Sequence, residues 1–418
     1  MGNHGYASFI HEIIRPIANP IQATGWIASK FAEDLLIDPT TRENYDIVHR
    51  VVAVASSSSR ASAERFVSEF VEPKQRDSCA AYGSYRELVR QDDVDIVYIA
   101  TPHSYHFQCG MLALTNEKAV LCEKIFTINA AQARLLYDTA RSKNLFLMEN
   151  VWTRFIPLSL AVREHITSGN LGEIIRVQAD LSYGETPESW PEGHRMINKD
   201  LAGGCLFDLG IYSLTWIFQT LYHTLPDHSK QEPRVKSLMS FHDATGVDET
   251  TTVLLEFPST PTSKTRAHGI ATTSFRTDWD PDKLQSAGAP IRIQGSKAEL
   301  HVYGGPASRP SRIKIIPQLR AATQAGMTAG GPQGALEGEV EVVDFGHPGV
   351  RGGGRGMFWA ADEVARCWRD GKLESEVMPW EESMVIMRVV DEVRRQGGLN
   401  YSEIIESTEY PLVFGNHS

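Results

Sequence analysis

Asp208 and Tyr212 stand four residues apart in LAGGCLFDLGIYSLTW, residues 201 to 216, a run that is otherwise apolar with a period near 3.6. Positions four apart on a helix share one face, so the spacing predicts a carboxylate and a phenol pointing the same way from a buried segment. A phenol serves as acid and base when a cation lies beside it, because positive charge favours phenolate and lowers its pKa toward working pH. Lys124, which follows Glu123 at the end of the strand-like KAVLCEK, supplies that cation. Tyr212 and Lys124 are therefore the expected catalytic pair, with Asp208 holding substrate or orienting Lys124. The bland alternative is a helix tyrosine with its hydroxyl at the surface. The joint presence of Lys124, Glu123 and Asp208 weighs against it.

These groups need elements to bring them together. From Gln22 to Glu149, short β-branched runs alternate with helix-like segments: RVVAVA, DVDIVYIATP, KAVLCEK and LFLMEN between SRASAERFVSEF, SYHFQCGMLALTN and AAQARLLYDTARSKN. Such alternation implies βαβ units and a parallel sheet, which binds ligands at the carboxyl ends of its strands. Thr101, His103 and His106 in TPHSYH, together with Glu123 and Lys124, follow predicted strands and are expected in the cleft. Past Asn150 come a helix, a long strand GEIIRVQADLSYG, the helix carrying Tyr212 and a series of Thr- and Val-rich runs. These predict a mostly antiparallel sheet of about six strands joined by Gly and Pro turns. Two glycine-rich excursions, 326–335 and 350–356, interrupt the second half. The chain is thus read as an α/β protein with a cofactor domain over 1–150, whose first 22 residues are atypical, and a second α/β domain over 151–418.

The segment ATGWIA, residues 23 to 28, is the expected phosphate cradle, since a glycine turn opening a helix presents free amides with partial positive charge. Gly25, Trp26 and Ile27 are its cofactor-binding residues. The G-x-G-x-x-G/A pattern falls on Ala23, Gly25 and Ala28, with alanine in place of the first glycine. The preceding RPIANPIQ carries two prolines and an asparagine where a central strand should run, and proline is a poor central-strand residue. A short, deformed or displaced first strand is expected. After the second strand, AVASSSSR has no acid to bond a ribose 2′-OH but offers Ser57, Ser58 and Arg60, which favours NADP over NAD. A serine-rich cap for the next helix is the competing reading.

Composition narrows the classes. The 418 residues are enough for two cores, and 41 basic against 52 acidic residues give a net charge of −11, which argues against a nucleic-acid or anionic-membrane partner. Five scattered cysteines without a CxxC pair indicate neither a disulfide framework nor a zinc site. No window approaches the roughly 18 consecutive apolar residues of a membrane span, and the N-terminus lacks a secretory signal pattern. A cytoplasmic location is expected. His103 and His106 share a helix spacing, but no further ligand cluster follows, so no metal is expected.

The order ATGWIASKF, TPHSYH, CEK, MENVWTRF, GEIIRVQAD and AGGCLFDLGIYSLTW resembles the glucose-fructose oxidoreductase, inositol dehydrogenase and rhizopine-catabolism family, over about Ala23 to Glu406. Within it the chain is most similar to the branch of NADP-dependent D-xylose 1-dehydrogenases and dimeric trans-dihydrodiol dehydrogenases. The resemblance implies a Rossmann domain followed by an α/β domain whose open, largely antiparallel sheet often serves in dimer contacts. The family's Glu-Lys-Pro falls on Glu123, Lys124 and Ile125. Its G-G-G-x-x-x-D-x-G-x-H falls on Ala202, Gly203, Gly204, Asp208, Gly210 and Tyr212, with Tyr for His as in that branch. Trp152 and Arg154 match positions near the nicotinamide and the substrate. The implied reaction is oxidation of a sugar C1 hydroxyl with NADP, with Trp152, Asp208 and Tyr212 on the substrate. A trans-dihydrodiol or another sugar as substrate, and a cofactor-impaired relative without catalysis, are the alternatives.

Overall fold

The structure, a computed structural model, describes residues 17–260, 265–318, 340–345 and 354–412. Residues 1–16 of the atypical N-terminus and the glycine-rich segments at 326–335 and 350–353 lie outside them.

Six strands form the first sheet: β1 (Ile17–Gln22), β2 (His49–Ala55), β3 (Ala80–Tyr82), β4 (Ile96–Ile99), β5 (Ala119–Glu123) and β6 (Leu147–Asn150). They run parallel in the order β3-β2-β1-β4-β5-β6. Between them come α1 (Trp26–Leu35), α2 (Arg60–Phe70), α3 (Pro73–Arg76), α4 (Tyr85–Val89), α5 (His106–Thr115) and α6 (Ala130–Lys143). β4, β5 and β6 are buried at every position, as expected for strands covered on both faces. Ser59, Ser84 and Asn129 start α2, α4 and α6 by accepting a backbone N–H, which satisfies donors the helix itself leaves free. The strand order reverses between β1 and β4, and that reversal opens a crevice at their carboxyl ends.

The first strand is neither missing nor displaced. β1 pairs with β2 from Ile17 to Gln22 and with β4 at Ile21 and Gln22, so it holds the centre of the sheet. The deformation expected from proline and asparagine is local: the register slips between Ala18 and Pro20, a bulge that accommodates the Asn19–Pro20 pair. Beyond it the ladder recovers, and Ala100 N–H donates to Gln22 O at 3.1 Å.

The second sheet has eight strands rather than about six: β7 (Ile174–Asp180), β8 (Arg234–Phe241), β9 (Asp248–Phe257), β10 (Ala267–Ser274), β11 (Ile291–Gly295), β12 (Ala298–Tyr303), β13 (Arg312–Pro317) and β14 (Glu341–Asp344). Their order is β14-β13-β12-β11-β7-β10-β9-β8. The β7–β10 pair is parallel and the others antiparallel. β8, RVKSLMSF, has little β-branched character, which hides it in the sequence. The helix α7 (Pro157–Thr167) and the helix α8 (Ile211–Leu221) accompany this sheet, α8 lying on β7 and β10.

Every residue of α8 is buried. The run Lys199–Leu221 has a mean hydropathy of 1.4, long and apolar enough to cross a membrane, yet 94% of its most apolar window is buried inside the protein. It is a core helix, apolar all round because it is enclosed all round.

Three helices finish the chain: α9 (Met357–Arg369), α10 (Trp380–Gly397) and α11 (Glu403–Glu406). α9 packs on α1, and α10 on α6 and β8, so the C-terminus spans both sheets. Asp34 of α1, 1% exposed, accepts backbone N–H groups from Arg355 at 2.9 Å and Met357 at 2.8 Å. It thereby caps α9, whose own N-cap, Gly356, offers no side chain. Asp362 of α9 receives Arg42 at 2.7 and 2.9 Å and lies 2.8 Å from His49, a second anchor on the first layer.

Candidate active site

Tyr212 enters the site from the first turn of α8, and Lys124 from the end of β5. The Tyr212 hydroxyl accepts a hydrogen bond from Trp152 Nε1 at 2.9 Å, and Lys124 Nζ lies 4.7 Å from the centre of the tyrosine ring. Trp152 is 4% and Tyr212 6% exposed, so the pair works in a poorly hydrated environment. Asp208 lies just before α8 in a π turn, Leu206–Gly210, not on a regular helix. This wider turn changes the simple one-face picture: Lys124 Nζ donates to the Asp208 carbonyl at 2.7 Å and stands 3.5 Å from its carboxylate. Turns of this kind recur at functional sites because they release backbone groups from the helical ladder.

The electrostatics correct one expectation. The Tyr212 pKa lies well above the ordinary phenol value rather than below it. Burial is the main cause, and the charges of Glu123, Tyr183 and Asp208 push the same way, while the Trp152 hydrogen bond opposes them. Lys124 does not overcome this because its strongest contacts are with Asp208. The Asp208 carboxylate, 3.5 Å from Lys124 Nζ, offsets the cation, and its own charge raises the Tyr212 pKa. Burial also acts on Asp208, but Lys124 and Arg195 outweigh it and hold the carboxyl well below the usual range. Asp208 is a fixed anion. The resting Tyr212 is a neutral phenol whose proton is available to a ligand.

Arg195 escaped the sequence reading. It grips Asp208 with two parallel bonds, 2.9 and 3.2 Å, and its side chain is 53% exposed toward solvent. The loop GHRMINKDL that carries it has no periodicity or motif, so only the fold brings it 13 positions back onto Asp208. Tyr183, partly exposed and held neutral by burial, is a second aromatic group near Tyr212 and Asp208. Asp248 was also missed: it accepts Leu206 N–H at 2.8 Å and Thr251 Oγ1 at 2.8 Å, capping the start of the helical run from β9. A Cβ on Gly204 would come within 2.0 Å of Asp248 Oδ1, at a φ of +126°, which is the physical reason for glycine there.

Three residues expected to meet the cofactor are buried and engaged by partners within the protein. Arg154 is fully buried, paired with Glu382 and donating to Val377 O at 2.9 Å. Its charge holds the fold together. His106 is fully buried with Nδ1 2.9 Å from Ile125 O and Nε2 2.9 Å from Thr101 O, so both ring nitrogens are engaged in tying two strand-end loops together. Glu123, 3% exposed, accepts from Tyr98 and Asn150, each at 2.7 Å. His103 and Thr101 do lie at the crevice, 8% and 7% exposed. His103 Nδ1 is 3.0 Å from Ala202 O, and burial, then the neighbouring His106, pushes its pKa down to about 3, so its ring is neutral. The Lys124–Ile125 peptide is cis. Among the described residues no group of three or more metal-ligating side chains comes together.

The turn after β1 fits a dinucleotide. Among the described residues, open space lies over Gly25, where a Cβ would meet no atom within 4 Å. α1 has no side-chain cap and no acid in its first turn, so its leading amides are available to an anion. Gln22, fully buried at the end of β1, has no hydrogen-bond partner for either amide atom among the described residues. Ala23 occupies the first glycine position at φ 130°, a conformation that suits glycine. After β2, Ser57, Ser58 and Arg60 are exposed while Ser59 caps α2, so the serine run both starts the helix and presents hydroxyls. Arg60 pairs weakly with Glu64 at 3.2 Å on an open surface.

A parallel sheet whose strand order reverses beside a free helix N-terminus, with Lys124 and Trp152 from its own strand ends meeting Tyr212 of α8, defines an oxidoreductase of the Rossmann type. The family model described as "Oxidoreductase family, NAD-binding Rossmann fold" matches residues 23–151, and the GFO/IDH/MocA C-terminal domain matches residues 159–301. The chain belongs to the GFO/IDH/MocA oxidoreductase family. It is 46% identical over 408 residues to the D-xylose 1-dehydrogenase (NADP(+)) of Hypocrea jecorina, covering 95% of this chain and 97% of that one. It is 32% identical over 390 residues to the trans-1,2-dihydrobenzene-1,2-diol dehydrogenase of Bos taurus, covering 92% and 97%. A solved structure of a 3-ketoreductase from Actinomadura kijaniata in complex with NADP shares the fold, with a TM-score of 0.66 at 20% identity over 92% of this chain and 98% of that one.

Proposed function

We propose that the chain is an NADP-dependent dehydrogenase that oxidises the C1 hydroxyl of an aldopyranose, D-xylose being the first candidate, to the lactone. The observation that carries this reading is the Tyr212 hydroxyl, held by Trp152 Nε1 at 2.9 Å with Lys124 over its ring. The 46% identity to a D-xylose 1-dehydrogenase supports the substrate. When bound, NADP supplies the acceptor for the hydride that leaves C1.

The chain's own residues handle the proton and the sugar. Tyr212, once deprotonated, accepts the hydroxyl proton at its phenolate oxygen, and Trp152 Nε1 stabilises that anion by donating to it. Lys124, anchored on the Asp208 carbonyl and carboxylate, keeps positive charge against the same ring. Asp208, locked by Arg195, positions Lys124 rather than exchanging protons. In the reductive direction the neutral Tyr212 is the proton donor, a role its raised pKa suits directly. Gly25, Trp26 and Ile27 would hold the diphosphate, and Ser57, Ser58 and Arg60 the 2′-phosphate.

In this reading, residues 1–150 bind cofactor, and residues 151–418 bind substrate and form a homodimer. The outer face of the second sheet supports the dimer: Leu238 is 78%, Leu254 48% and Ile175 45% exposed, an apolar surface of the kind that association covers. Five cysteines without a disulfide accord with the reducing cytosol. Initial rates with D-xylose and NADP, beside an aromatic trans-dihydrodiol, test the reading. Turnover of D-xylose that Tyr212→Phe leaves intact overturns the role of Tyr212. Turnover of the dihydrodiol alone replaces the substrate class.

A further inference from the structure

We propose that Arg355, stacked on Trp26, forms a cationic clamp on the diphosphate of the bound dinucleotide, delivered from the C-terminal half of the chain. The proposal rests on the dinucleotide reading above and adds a binding residue from outside the nucleotide-binding domain. The Arg355 guanidinium lies 4.4 Å from the centre of the Trp26 ring. Trp26 is the first residue of α1 and is 59% exposed, immediately beside Gly25 and its open space. A cation is therefore stacked at the free N-terminus of the helix that carries the glycine turn.

The placement is built, not incidental. The Asp34 carboxylate holds the backbone N–H groups of Arg355 and Met357, so the Arg355 backbone is fixed by the same α1 whose N-terminus its side chain overlooks. Among the described residues no carboxylate lies within ion-pair distance of the Arg355 guanidinium, so the cation at the helix N-terminus is without a paired anion. A diphosphate, with one charge on each phosphate and oxygens matched to the guanidinium fork, supplies it. A neutral sugar does not. The 2′-phosphate belongs instead to the loop after β2, where Arg60 is exposed.

The experiment is a fluorescence titration of NADPH and of NADH into the full-length wild-type protein, Arg355→Ala, Arg355→Lys and Arg60→Ala, at two salt concentrations. Arg355→Ala is expected to raise the Kd of both nucleotides by the same factor, about tenfold, and to reduce the salt dependence. Arg355→Lys keeps the charge without the fork and falls between. Arg60→Ala is expected to weaken NADPH alone. Because Asp34 binds the backbone of residue 355, melting temperatures should remain at the wild-type value. Unchanged Kd values in Arg355→Ala, or a loss confined to NADPH, overturn the clamp while leaving the dinucleotide reading intact. A wild-type protein that binds neither nucleotide overturns both.

Discussion

The turn after β1 and the helical run before and through α8 both carry a glycine segment, but they use it in opposite ways: Gly25 faces open space, whereas Gly203 and Gly204 pack against neighbouring protein atoms. At the turn backbone amides stand open to an anion, and the sequence strays: alanine replaces a glycine, and proline and asparagine precede it. A one-residue bulge absorbs that departure and leaves β1 in its central place. At α8 the chemistry belongs to particular side chains, and Tyr212, Asp208 and Gly204 are each fixed by a specific atom nearby. A backbone-mediated site tolerates changes of residue because amides persist; a side-chain site does not.

Activity measurements break this contrast most severely. Tyr212→Phe is expected to lower kcat by about 10³-fold with little change in NADPH Kd, as rapid kinetics and titration will show. A loss of nucleotide binding of similar size would mean that the two regions are not separable. The next effect is on stability. Gly204→Ala drives a Cβ to within 2.0 Å of Asp248 Oδ1 at a positive φ, and urea unfolding should report a loss of about 3 kcal/mol.

A smaller effect concerns pH. Since the Trp152 N–H favours phenolate, Trp152→Phe raises the Tyr212 pKa further. The ascending limb of log kcat/KM for oxidation, which follows the phenolate fraction, should therefore move to more alkaline pH. The reductive profile, which needs the phenol, should keep its activity to correspondingly higher pH. A limb that stays in place would assign it to another group. The mildest change is the converse exchange at the turn. Ala23→Gly relieves a φ of 130° and should stabilise the protein by about 1 kcal/mol, measured by the same urea unfolding. Glycine and alanine exchanged in opposite directions thus give effects of opposite sign, each predicted by its own surroundings.

Much of this was legible in the residues because it is periodic or local. The alternation of β-branched runs and helices gave the parallel sheet, and the glycine pair before an apolar stripe gave the helix carrying Tyr212. The strand ends gave Lys124. What could not be read depends on long-range contact. Nothing in MENVWTRF distinguishes Trp152, which reaches Tyr212, from Arg154, which turns inward to Glu382 more than 200 residues away. Arg195 lacks any spacing signal, since a loop returns it to Asp208. The direction of the Tyr212 pKa was misread for the same reason: the cation is present, but its strongest contacts go to the carbonyl and carboxylate of Asp208, and burial decides the remainder.

The cap that Asp34 places on α9 has a consequence for how such a protein can change. Its hydrogen bonds go to the main chain of residues 355 and 357, which every amino acid except proline provides. The fold therefore does not depend on which side chain stands at position 355, even though that side chain overlooks the helix N-terminus. A position that is structurally insured and chemically exposed is one that selection or an engineer can vary freely. It offers a single-residue dial on nucleotide affinity that leaves folding untouched.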